Sequence, residues 1–78
     1  MNPALRNQLL HLDRALLALL DERARLYSEL EARDPARATT VDELLRRHAG
    51  PFPPEAVREV FAAVERACRR FSSEEPAP

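Results

Sequence analysis

The sequence contains no lysine and no tryptophan, and has only one glycine, one cysteine and one tyrosine in 78 residues. Each scarcity excludes something. A single thiol, Cys68, rules out an intrachain disulfide and points to a reducing, cytoplasmic setting. The two histidines, His11 and His48, stand apart, so no metal site with three or four convergent donors is expected. The longest apolar run, "ALLALL", falls far short of the ~20 residues that span a bilayer, and charges interrupt the apolar N-terminal stretch, so no secretory signal is expected either. A formal charge of -1 gives no electrostatic footprint for nucleic acid. Because every basic residue is arginine, any cationic chemistry must use guanidinium groups, which bind anions but do not shuttle protons.

What is present is helical periodicity. From Pro3 to about Arg33 there is neither glycine nor internal proline. Leu5, Leu9, Leu12, Leu16, Leu19, Arg23, Leu26 and Leu30 alternate spacings of four and three, the seam of one helix packed on another. Leu10, Leu17, Leu20 and Tyr27 widen the apolar arc, so this helix must meet more than one neighbour. At ~1.5 Å per residue it would run about 45 Å, longer than a domain of this mass is wide. A chain this short buries too little surface to be comfortable alone, and a second copy is the usual remedy.

The joins are punctuated by proline. Pro35 disfavours helix at Asp34. Thr40 with Glu43 has capping-box spacing, predicting a short second helix over Val41 to His48. Gly50 is expected as a left-handed stop before "PFPP". Pro54 suits the first turn of a third helix running to about Phe71, with Val57, Val60, Phe61, Val64, Ala67, Cys68 and Phe71 as its apolar stripe. The expected organisation is one all-α domain over residues 1–72 of long, short and medium helices, with a disordered tail over 73–78.

Two arginines intrude on the first helix's apolar arc. Arg23 could extend its head to water at a seam end or pair across an interface. It could equally face a pocket and clamp a carboxylate with its planar fork. Arg6 lies ~25 Å away along the axis, so one protomer cannot bring both to a small ligand, whereas an antiparallel or intertwined dimer can.

These residues resemble a known family. "LRNQLLHLDRALLALLDERARLYSEL" is similar to the first helix of the all-helical (AroQ-class, type II-like) chorismate mutases, matching at Leu5-Arg6, Leu12-Asp13, Leu16-Leu17, Leu19-Leu20 and Glu22-Arg23. The stretch "GPFPPEAVREVFAAVERACRRF" resembles the family's last loop and helix. The resemblance implies an intertwined helical homodimer that rearranges chorismate to prephenate without a cofactor or metal. It implies that Arg23 binds a ligand carboxylate within its own protomer and that Arg6 reaches across from the partner. Aligning the second helix by Val41 and Leu45 places Arg37 at a third ligand-binding arginine, and Cys68 and Ser72 at the polar positions of the last helix that face the ligand. The catalytic set so implied is Arg23, Arg6 and Arg37, with Cys68 and Ser72 as further substrate contacts.

The departures concern the ether oxygen. The family's lysine late on the first helix falls on Asp34, with Arg33 nearby but off the face; an expected glutamate falls on Ala38, and the usual glutamine is missing. Losing one oxyanion-type donor costs ~3–4 kcal/mol, so weak catalysis is expected. Two alternatives remain: a non-catalytic homodimer that regulates or docks onto a shikimate-pathway enzyme, and an isochorismate–pyruvate lyase.

Overall fold

The computed structural model describes residues 2–37 and 40–74. Asn2 opens the first element: its side-chain oxygen accepts from the Ala4 N–H at 2.9 Å, and Pro3 fills the first helical position, where no donor is needed. The helix that follows, α1, spans Pro3–Glu29. It stops four residues before the expected end at Arg33. Leu30 turns to extended backbone and gives its N–H to the Tyr27 carbonyl. The Asp34 carboxylate then accepts from the Ala36 N–H at 2.9 Å, an Asx turn that competes with helix. A 3₁₀ turn, Pro35–Arg37, follows beyond the expected end of the helix.

The second helix, α2, spans Val41–Arg46, two residues less than expected. Thr40 makes no side-chain capping bond, so the capping box its spacing suggested does not form; its carbonyl accepts from Leu44 N–H instead. Gly50 does not adopt the left-handed conformation. Its use is close approach: a Cβ there would meet His48 Cε1 at 3.1 Å, and that imidazole is held by an Nε2 contact to the Phe52 carbonyl at 3.0 Å. The third helix, α3, spans Pro54–Glu74, carrying Ser72, Ser73 and Glu74 beyond the expected end at Phe71. The rest of the expected tail, and Ala38, lie outside the described residues.

The described residues thus form three α-helices and one 3₁₀ turn, with no strand. Packing is chiefly α1 on α3, with α2 against α3. Arg23 meets Cys68, and Tyr27 lies by the contact between Arg37 and Ser72, so α1 and α3 run side by side in the same direction. They meet only over the second half of α1, and the molecule measures 48 × 29 × 15 Å.

The core is thin. Among the described residues only Tyr27 (6% exposed) and Cys68 (3%) are buried. Every residue from Asn2 to Leu19 is exposed, including Leu5, Leu9, Leu10, Leu12, Leu16, Leu17 and Leu19. A leucine side chain gains ~1.5–3 kcal/mol on full burial. Seven about half-exposed leucines therefore leave on the order of 5–10 kcal/mol unused within one chain. No helix of the described residues is long and apolar enough to cross a membrane.

Candidate functional site

Arg23 and Tyr27 sit one turn apart on α1, and Cys68 and Ser72 one turn apart on α3. Four-residue spacing points each pair along one face, and the parallel packing sets the two pairs opposite one another. The 3₁₀ turn delivers Arg37 to the same place.

The contacts are specific. Arg23 Nη1 donates to Cys68 Sγ at 3.1 Å. Arg37 Nη2 donates to the Leu30 carbonyl at 2.9 Å and to Ser72 Oγ at 3.2 Å. The Arg37 guanidinium lies 4.5 Å from the centroid of the Tyr27 ring, a cation–π contact that closes over the buried tyrosine. Arg37 Nε is buried with no hydrogen-bond partner. Arg37 therefore ties the end of α1 to the last turns of α3, with two of its five donors and its face already engaged.

Arg23 differs in one respect that matters. It is half-buried, and the acceptor it meets is a thiol sulfur, a weak one. No carboxylate pairs with it among the described residues. Nearby Glu22 and Glu29 are taken by Arg25: Glu22 through a short fork and Glu29 at 3.4 Å. The hydrogen bond from Arg25 holds the Glu22 carboxyl below its ordinary range, so it stays ionised and occupied. Arg23 thus borders an open recess of about 320 Å³, shared with Leu26, Tyr27, Glu29, Leu30 and Ala36. Glu29, on the wall of that recess, is turned to Arg25, and Arg23 makes no ion pair among the described residues. A second recess of about 560 Å³ adjoins it at Tyr27 and is lined by Asp34, Arg37, Arg69 and Ser72 among others.

Of the residues singled out in the sequence, the fold brings Arg23, Arg37, Cys68 and Ser72 together. Arg6 does not join them: it is exposed in the second turn of α1, seventeen positions before Arg23 and ~25 Å from it along the helix. Arg33 is exposed in the turn after α1 and lines neither recess. Asp34 lines the second recess, but one carboxylate oxygen is committed to the backbone of Ala36. Tyr27 is the residue that sequence reading placed only in an apolar arc. Its signal was there, since it is the sole tyrosine and stands one turn after Arg23.

Cys68 is buried, and its hydrogen-bond partner among the described residues is the Arg23 guanidinium rather than a histidine or carboxylate base. No group of three or more His, Cys, Asp or Glu side chains among the described residues could hold a metal. The arrangement suits anion binding through one available fork, with a second fork fixed as scaffold, on walls that mix apolar side chains with the carboxylates of Glu29 in the first recess and Asp34 and Glu65 in the second. In comparisons with known proteins, no family model, curated protein or solved structure matches the chain.

Proposed function

We propose that this protein is a homodimeric, chorismate mutase-like protein that binds chorismate, or a closely related dicarboxylate, and converts it slowly to prephenate. The observation that carries the reading is Arg23: a half-buried guanidinium facing a recess, with a thiol as its acceptor and no carboxylate paired to it. A cation held this way is costly unless an anion supplies the missing partner. A ligand carboxylate docked in the bidentate geometry of guanidinium would do so.

The exposed leucines support the dimer. Pairing the first halves of two α1 helices would cover them. The same pairing would carry Arg6 of one copy toward the Arg23 recess of the other, giving the second carboxylate its anchor. The chemistry asked of the protein is then small. The rearrangement is intramolecular, one carbon–oxygen bond breaking as one carbon–carbon bond forms, with no proton transfer or covalent intermediate. Holding the compact conformer supplies most of what is needed.

The rate is limited by what faces the ether oxygen. The polar groups on α3 are the Cys68 thiol, already accepting from Arg23, and the Ser72 hydroxyl, already accepting from Arg37. Neither is a charged donor of the kind that stabilises a developing oxyanion. This same observation favours the second reading, a non-catalytic dimer that binds the ligand for regulation or for docking onto a shikimate-pathway enzyme. An isochorismate–pyruvate lyase is the remaining alternative and differs by forming salicylate.

Incubation with chorismate, followed by its ultraviolet absorbance and by acid conversion of prephenate, tests the enzymatic reading. Loss of chorismate above the uncatalysed rate, abolished by Arg23→Gln, is expected. Tight binding with no turnover would transfer the function to the non-catalytic dimer.

A further inference from the structure

The second half of α3 carries a charge pattern that the Arg23 recess does not use. Arg66, Arg69 and Arg70 lie within four residues of one another, and together with Ser73 they line one recess of about 420 Å³. Spacings of three and four put all four residues on one helical face. Arg69 and Ser73 also line the adjoining recess that holds Arg37 and Ser72. No acidic residue occurs between Glu65 and Glu74.

These three arginines are grouped on one helical face, whereas the other exposed arginines with no ion pair among the described residues, Arg6, Arg14, Arg33 and Arg47, are far apart in the sequence. Arg25, Arg46 and Arg58 each have a carboxylate partner: Glu22 and Glu29, Glu43, and Asp42 respectively. Arg66, Arg69 and Arg70 have none among the described residues. The helix dipole does not explain the clustering, since its effect is confined to the last turn and the last turn of α3 contains no basic residue. Three like charges on neighbouring turns repel each other, in a chain whose net charge is -1. The face is therefore primed for an anion of more than unit charge.

We propose that Arg66, Arg69 and Arg70, with the Ser73 hydroxyl, form a binding site for the phosphate dianion of a phosphorylated small molecule. Guanidinium forks match phosphate oxygens bidentately, and three of them around one shallow, open recess favour a dianion over the monoanionic carboxylate that suits a single fork. Ser73 Oγ donates to the Arg70 carbonyl at 3.1 Å, so its lone pairs face outward and its proton can be redirected to a phosphate oxygen. The proposal is independent of chorismate binding, because Arg23 does not line this recess.

Titration of the full chain with inorganic phosphate at low ionic strength, followed by calorimetry and by amide shifts in NMR, tests it. Saturable binding is expected, with shifts concentrated on residues 66–73. Arg69→Gln should weaken binding at least fivefold, and the combined R66Q/R69Q/R70Q variant should remove it. Arg25→Gln, at an arginine already paired, should leave it unchanged. Non-saturating heats, shifts centred elsewhere on the parent protein, or an equal loss in Arg25→Gln would each overturn the site. The shift map uses the unaltered chain, so it decides the matter even if the triple variant folds poorly.

Discussion

At the scale of single residues, Arg23 and Tyr27 play different parts. Arg23 has no ionic partner among the described residues, so under the proposed function Arg23→Gln should cost a bound carboxylate its charge-assisted hydrogen bonds, ~1.5–3 kcal/mol, or roughly 10- to 150-fold in Kd. Helicity should be unchanged, since glutamine is a good helix former. Circular dichroism beside the binding measurement separates the two effects. Tyr27 is structural: its ring fills the joint between α1 and α3 under the Arg37 guanidinium. Tyr27→Ala should cost about 3 kcal/mol or more in chemical denaturation, as large-to-small changes at buried aromatic positions do. Tyr27→Phe keeps the ring under the cation and should cost under ~1 kcal/mol. The apolar pattern revealed Arg23 because a charge among leucines stands out. It did not reveal that Arg37 is engaged with the Leu30 carbonyl and Ser72, since a backbone acceptor leaves no mark in a sequence.

At the scale of elements, the three helices were legible and their ends were not. Periodicity with no internal proline defined α1 and α3 because burial of a stripe is a long-range demand repeated at every turn. The ends depend on single competing bonds. Leu30 took extended backbone and gave its N–H to the Tyr27 carbonyl, which ended α1 at Glu29, and Thr40 made no side-chain capping bond. The exposed face of α1 also carries a pH-dependent contribution. Glu22 is held below its ordinary value of 4.5 by the hydrogen bond from Arg25. A depressed carboxyl stabilises the fold above its unfolded value and loses that contribution as acid protonates it. Thermal unfolding should therefore fall less steeply below about pH 4.5 in Glu22→Gln than in the parent. The difference is small, because both partners are fully in water.

At the scale of the whole molecule, the first half of α1 decides the assembly. Seven about half-exposed leucines in the stretch from Asn2 to Leu19, where every residue is exposed, beside only two buried side chains among the described residues, make a poor monomer. Sedimentation should show a dimer at micromolar concentration. Leu12→Glu with Leu16→Glu should give a monomer of reduced helicity, because a helix without its partner has little tertiary support. That α1 carries more apolar surface than α3 covers could be read in the sequence from the width of the apolar arc. What remained hidden was how short the intrachain contact is: it begins near Leu20, and nothing in the pattern of leucines distinguishes those that meet α3 from those left exposed.

Calorimetric titration of the dimer with chorismate bears most directly on the central claim, a carboxylate site built around Arg23 and completed by a second copy. One saturable site per protomer is expected, weakened at least tenfold both by Arg23→Gln and by Arg6→Gln. No saturable heat with the parent protein, or binding indifferent to Arg23, would contradict it.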